Sequence, residues 1–437
     1  MTPSIGVLQA NRQFLRAMHM TEVVMTKRSD LFEVSICEVC GNQRLTRVLD
    51  LGLHPLCDDL VPIGDARVCH EYPIDILFCE NCLTAHQRFQ VPKQDLFPPT
   101  YHYRSRFTAD VLTGMQSLVE TCERRFGSLA HKKVLDIGCN DGSLLDFFRQ
   151  KGALTFGIEP TDAVYDAEKK GHRTYNTYLS EEAAKSIVAE VGEPDLITFT
   201  NVFAHIEDLR QVVAALKLLS VPSTVIVIEN HYLGAVLNGA QFDTFYHEHP
   251  RSYSYTSFDF VARARGTQLL HVEFHSRYGG NIRVFLGSTM QNPGLVVTRD
   301  DLLVREKKFL QNFDSLNRNM NTWRATKGQY LNDLVRRYGK IPAKAFPGRA
   351  AILIKLLGLN EDMISAVYEK PGSMKIGHYV PGTRISIRSD DELLTLPDKS
   401  LPLLNLAWHI SGEIHSYLEN LSYTGPVIDV IASEDFQ

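Results

Sequence analysis

Residues 132–152, KKVLDIGCNDGSLLDFFRQKG, constrain the fold of this chain more than any other stretch. The apolar run Val134–Ile137 ends at Gly138. Cys139, Asn140, Asp141 and Gly142 follow, and a helical pattern begins at Ser143. Strand, glycine turn and helix in that order open a parallel α/β sheet, and the glycines let a ligand approach the backbone at the helix N-terminus. About 20 residues further on, where a ribose-binding acid is expected, ALTFGIEP reads as a second strand ending in Glu159. The spacing departs from the dinucleotide form G-x-G-x-x-G, because Asn140 stands where the second glycine would admit a pyrophosphate.

The elements that follow alternate as a doubly wound sheet requires. EEAAKSIVAEVG is a helix, DLITFTN a strand, DLRQVVAALKLLS a helix and STVIVIEN a strand. TSFDFVARARG is a helix, with Thr256 as its expected N-cap and Gly266 as its stop. QLLHVEFHS and GNIRVFLG, joined by RYGG, form a hairpin. The form D-x-G-x-x-x-G (Asp136, Gly138, Gly142) resembles motif I of class I S-adenosylmethionine-dependent methyltransferases, which close five parallel strands with such a hairpin. The resemblance implies S-adenosylmethionine as ligand, with Asp136, Gly138, Asn140, Gly142, Glu159 and Asn201 as its contacts. A degenerate NAD site is the competing reading.

A different signal lies near the N-terminus. Cys37-x-x-Cys40-Gly and Cys79-x-x-Cys82 are two knuckles, each able to turn two thiolates toward one ion. Together they complete a four-sulfur zinc site, and four protein ligands leave no open position, so the metal is expected to be structural. The alternative is a set of redox or merely buried cysteines. Cys57 and Cys69 lack paired spacing and read as small apolar residues.

DTFYHEHPRSYS (Asp243–Ser254) follows the fifth strand, as VFAHIED (Val202–Asp208) follows the fourth. Ligands of an open parallel sheet bind beyond the carboxyl ends of its strands, so both segments belong to the ligand rim. His247 and His249 share a face if the segment is extended and could chelate a metal, or the histidines could form a satisfied structural cluster. No third ligand has recognisable spacing, and an imidazole titrating near ~6.5 suits a general base at neutral pH. Proton transfer is therefore the expected role. In an extended segment Glu248 and His249 face opposite ways, so joint work in one pocket requires a kink or turn.

The 46 basic residues are offset by 51 acidic ones with no long block of either sign, which argues against a nucleic-acid surface. No apolar run reaches the ~18 residues of a membrane span, and residues 1–20 lack the apolar core of a signal peptide. Eight cysteines without an export signal then point to reduced thiols or metal ligands, and the cytoplasm is the expected compartment. At 437 residues the chain should divide. The expected parts are an arm (1–34), a zinc-binding domain (35–98), a methyltransferase domain (99–297), a helical spacer (298–340) and a C-terminal α/β domain (341–437).

The zinc knuckles, the methyltransferase pattern, YHYRS (Tyr101–Ser105), NVFAHIEDL, YHEH, GGNIRVF and GHYVPGTRISI occur in one order. Together they resemble the nucleotide-sugar C-methyltransferases of deoxysugar and polysaccharide pathways. That resemblance implies a class I methyltransferase sheet between a four-Cys zinc module and a C-terminal Rossmann-like domain that helps bind the sugar nucleotide. It implies methylation of the carbon beside the ketone of a nucleotide-linked 4-keto-6-deoxy sugar. His249 would be the base, Glu248 would assist it or bind the sugar, and Tyr246, His205 and Tyr103 would line the pocket. Tyr103 as part of a stacked lid and His205 as a helix cap are the plainer alternatives. The chain departs from the family pattern at AFPGRA, where Arg349 replaces a lysine, and at HPRSYS and SRYGGN, which puts the acceptor in question more than the methyl transfer. O- or N-methylation on the same fold, and a zinc-anchored binding protein without catalysis, are the competing functions.

Overall fold

The computed structural model describes residues 31–288 and 299–436, so the expected arm, 1–34, lies almost wholly outside the described residues. Its centre is a seven-stranded sheet. In spatial order the strands are Gln268–His275, Asn281–Gly287, Val225–His231, Leu196–Thr200, Lys133–Ile137, Leu154–Ile158 and Arg173–Tyr175. The last five run parallel, and the first two form an antiparallel hairpin against Val225–His231. Leu135, Ile197, Phe199, Ile226, Val227 and Ile228 are fully buried. Central strands covered on both faces read as continuous apolar runs for this reason. The edge strand Arg173–Tyr175 has only three residues, partly exposed, and carries no such run.

Two further sheets flank this one. Thr46–Pro55, Glu71–Cys79 and Thr84–Gln87 form an antiparallel meander in the N-terminal lobe, and Arg251–Ser252, just past YHEH, pairs with Thr84–Gln87 as its fourth strand. In the C-terminal lobe, Ile387–Ser389, Ile364–Glu369, Ile341–Lys344, Leu403–Asn405 and Val427–Asp429 make a five-stranded parallel sheet. Its strand order reverses between Ile341–Lys344 and Leu403–Asn405, which makes a topological switch point there.

The region expected to be a spacer is helical, Arg299–Glu306 and then Phe309–Tyr338, and it is deeply packed. Phe313, Leu316 and Trp323 are fully buried, the Trp323 indole donates to the Val430 carbonyl (2.8 Å), and Asn317 donates to the Val48 carbonyl (2.7 Å). One apolar core thus runs without a break through Leu49, Ile228, Trp323 and Val367, one residue from each region. The helix Tyr255–Ala264 starts two residues earlier than expected. Ser254, not Thr256, is its N-cap, in a reciprocal capping box with Ser257. Thr256 lies in the first turn and donates instead to Glu306 (2.6 Å). No described helix is long and apolar enough to cross a membrane.

Candidate active site

The carboxyl ends of the central and C-terminal sheets face one cavity of about 580 Å³. Asp136, Gly138, Asn140, Glu159, Asn201 and His205 line it from the central sheet, and Lys344, Arg349, Lys370, Lys375 and His409 from the C-terminal one. The glycine turn shapes the first wall. Gly138 has φ +71°, and a Cβ there would meet the Val202 side chain at 2.6 Å, so only glycine lets the turn close against the next loop. Gly142 lies off the wall; its φ of +74° and the 2.9 Å from an added Cβ to Ala167 Cβ make it a helix-packing glycine.

Asn140, where a dinucleotide motif would have glycine, also has positive φ (49°). Its side chain accepts from Ser105 N (3.0 Å) and donates to the Tyr103 carbonyl (3.2 Å), which fixes the Tyr101–Ser105 segment over the turn. Its backbone N–H donates to Glu159 (3.0 Å), whose other oxygen accepts from Thr161 N and Oγ1 (2.9 and 2.6 Å). Burial raises the Glu159 carboxyl and outweighs these bonds. Asp136 accepts from Thr198 Oγ1 (2.7 Å), and burial pushes it up to about 7. Asn201, left-handed at φ 55°, accepts from Asn281 (3.3 Å) at the end of its strand.

YHEH is not extended. His249 N donates to the Tyr246 carbonyl (2.9 Å), closing a turn that brings Tyr246, Glu248 and His249 to the cavity while His247 leaves it. The required kink is therefore present. His247 Nε2 donates to the Tyr72 carbonyl of the N-terminal lobe (3.1 Å), and burial lowers its pKa to about 4. The two histidines point apart and cannot chelate together. His249 Nδ1 donates to the Thr244 carbonyl (2.9 Å), so Nε2 is the unprotonated nitrogen of the ring. Burial, then the nearby His205 and His231, hold His249 well below the ordinary value. Its ring lies 4.3 Å from Tyr246, 4.9 Å from His205 and 5.5 Å from His231, centroid to centroid.

Glu248 accepts from the Tyr101 hydroxyl (3.0 Å), and burial, with the Asp58 charge second, raises it to about 8. His205 does not cap the following helix, which Asp208 does; its Nδ1 donates to the Glu248 carbonyl (2.6 Å). Tyr103 is on the wall and 39% exposed, whereas the half-buried Tyr101 beside it is the tyrosine that reaches Glu248. His231 had no motif around it; the signal that could have found it is its place at the carboxyl end of the fifth strand.

The four cysteine sulfurs lie within 4.8 Å of one another, with Cys37–Cys82 at 3.3 Å and Cys40–Cys79 at 3.6 Å. A tetrahedral site with Zn–S near ~2.3 Å needs sulfurs about 3.8 Å apart. Four thiols with no nitrogen or oxygen donor fit a closed zinc site, and no other metal-like cluster occurs among the described residues. The site is tied to the YHEH segment. Ser254 and Ser257 donate to the Cys82 carbonyl (3.4 and 3.2 Å). The buried Arg251 pairs with Glu38 (2.6 Å), beside Cys37, and donates to the Ile206 and Glu207 carbonyls. The unusual PRSYS tail therefore does not line the cavity itself; it joins the zinc lobe to the Ile206–Glu207 part of the wall.

Three family models match in sequence order: "Putative zinc binding domain" over residues 37–97, "Methyltransferase domain" over 107–272 and "C-methyltransferase C-terminal domain" over 276–428. The C-methyltransferase NovU of Streptomyces niveus is 26% identical over 395 residues, covering 88% of this chain and 93% of NovU. A ubiquinone biosynthesis O-methyltransferase of Pasteurella multocida is 32% identical over 110 residues, 22% of this chain and 46% of its own length. Among solved structures, the magnesium protoporphyrin IX methyltransferase of Synechocystis PCC 6803 with bound SAM is 16% identical, covers 41% of this chain and 80% of its own, and has a TM-score of 0.30, too low to carry an argument. With zinc-binding, methyltransferase and C-methyltransferase C-terminal regions matched in one order, the chain is an S-adenosylmethionine-dependent methyltransferase, similar over most of its length to the C-methyltransferase NovU.

Proposed function

We propose that this chain methylates the carbon beside the ketone of a nucleotide-linked 4-keto-6-deoxy sugar, C3, through an enolate, with His249 as the base. The observation that carries the reading is the 2.9 Å contact between His249 Nδ1 and the Thr244 carbonyl, which can only accept. The His249 Nδ1–H is committed to that carbonyl, so a wall residue of the cavity offers a lone pair on Nε2 at neutral pH. Bound S-adenosylmethionine supplies an electrophilic methyl on a sulfonium. The turn Gly138–Asn140, with Asp136, Glu159 and Asn201 around it, would hold that nucleoside, and Glu159 would take the ribose hydroxyls.

The acceptor would lie against the C-terminal wall, where Lys370 and Lys375 give the cationic lining that phosphates require, Lys344 and Arg349 being paired with Asp390 and Asp243. Nε2 of His249 would take the proton beside the ketone, leaving the electron pair shared with the carbonyl oxygen, and that carbon would accept the methyl as the C–S bond breaks and the sulfur leaves as a neutral thioether. Glu248 stays protonated at neutral pH and can donate to an acceptor oxygen; one such donor is worth ~3–4 kcal/mol when charge develops there. Tyr246, its ring 4.3 Å from that of His249, and His205, bonded to the Glu248 backbone, would fix the two groups, and Tyr103 would line the cavity.

Incubation of candidate 4-keto sugar nucleotides in deuterated water without methyl donor tests this reading. Deuterium should enter beside the ketone with the native chain and not with His249→Ala. No uptake, together with full turnover by His249→Ala, would instead favour transfer to an oxygen or nitrogen that already carries its lone pair.

A further inference from the structure

The base on the cavity wall has the right tautomer only while the Thr244 carbonyl stays in place. Thr244 ends the short turn Phe242–Thr244, and what holds that turn comes from the other lobe. Arg349 lies between the strand Ile341–Lys344 and the helix Ala350–Leu357, at the switch point of the C-terminal sheet. Its guanidinium donates to both oxygens of Asp243 (2.8 and 2.7 Å), to Thr244 Oγ1 (2.7 Å) and to Gln241 Oε1 (3.3 Å). Trp408, also from the C-terminal lobe, donates to the same Asp243 carboxylate (2.9 Å), with the guanidinium 5.1 Å from its ring centre. Asp243 and Thr244 are 0% and 1% exposed and Arg349 is 7% exposed, so water offers these groups no substitute partners.

We propose that Arg349 is a positioning residue for His249: its fork grips Gln241, Asp243 and Thr244, and thereby fixes the carbonyl that keeps the His249 proton on Nδ1. A planar guanidinium suits the task because it bonds several acceptors in one fixed geometry, which a lysine ammonium does not. With the clamp gone the Thr244 carbonyl is free to move, the proton can shift to Nε2, and the lone pair then faces protein instead of acceptor. The lobe whose wall would receive the acceptor thus also arms the base, so acceptor contact and proton abstraction are mechanically joined. This role rests on the reading of His249 as base.

The tautomer can be read without turnover, by nitrogen NMR of histidine-labelled protein, with the His249 signal assigned by its loss in His249→Ala. The native chain should show a protonated Nδ1 and a bare Nε2. Arg349→Met should lose that pattern, and its kcat should fall about 10- to 100-fold, as when a group that orients a ligand or base is removed. Its acceptor KM and its affinity for S-adenosylmethionine should change less than about threefold. After burial, the His205, His231 and Arg349 charges hold His249 down, with Tyr246 also packed against the ring. The variant should therefore gain an acid limb in its rate profile closer to ~6.5. Arg349→Lys, which keeps the charge but not the fork, should lose the tautomer without gaining that limb, and serves if the methionine variant does not fold. An unchanged His249 tautomer in both variants, or a loss confined to KM, overturns the positioning role. Full activity of His249→Ala would overturn the base reading itself, and the two failures are distinguishable.

Discussion

Two clusters of metal-ligand side chains lie close together in this molecule and do opposite things. Cys37, Cys40, Cys79 and Cys82 turn four sulfurs inward on a point. His205 and His231 have their ring centres 4.9 and 5.5 Å from that of His249, yet among the described residues only the four cysteines gather their ligand atoms on one point. The contrast shows that residue type and proximity do not make a metal site: ligand atoms must converge on one point, while the backbone acceptor behind each ring fixes only its tautomer and direction. His247 and His249 repeat the lesson two residues apart, one bonded away into the N-terminal lobe and one kept at the cavity.

The comparison breaks most visibly at the cysteines. Cys79→Ser should release the zinc, read by metal analysis, and destabilise the chain by several kcal/mol, lowering Tm by about 10 °C. Turnover should be lost as well, because Cys82 and Glu38 anchor the segment that follows His249. His249→Ala should do the reverse. Its kcat should fall about 10²–10⁴-fold, while its zinc content and its Tm stay near those of the native chain.

Glu248 gives a subtler effect. Its folded pKa, about 8, lies above the ordinary 4.5, so the folded state binds the extra proton and its stabilisation is complete below ~4.5 and lost as pH rises toward 8. Glu248→Gln should flatten that decline in a Tm series across pH 5–8, a difference of at most a few kcal/mol, and should remove an alkaline limb near pH 8 from the rate profile. The smallest change is expected from His247→Gln. Loss of the bond to the Tyr72 carbonyl should cost ~1 kcal/mol in denaturant titration, with kcat within about threefold of native. A larger loss of rate would mean that the two histidines are less separate than their bonds imply.

The fold was largely legible because its signals are local. The strand–glycine–helix of residues 133–150 and the closing hairpin follow from apolar runs and turn residues alone. The strand Arg173–Tyr175 was not legible, being short and half-exposed, and Thr256 was misread as a cap because Ser254, two residues earlier, makes the capping box. At the cavity, spacing placed Tyr246, Glu248 and His249 on the rim but said nothing of their orientation. Nothing in YHEH says that His247 turns to Tyr72, that Tyr101 and not Tyr103 reaches Glu248, or that Arg251 pairs with Glu38.

By itself, then, the sequence determined the four-sulfur site, the nucleoside-type turn at Gly138 and Glu159, and the rim on which Glu248 and His249 stand, since each depends on spacing within one or two adjacent elements. Tertiary structure alone decided that the zinc lobe takes Arg251–Ser252 into its sheet, that two sheet edges share one cavity, and that Arg349 grips the turn behind His249. The reason is physical. These contacts join residues about a hundred or more positions apart, and their geometry is set by how buried groups find partners when the lobes pack, which no local pattern encodes.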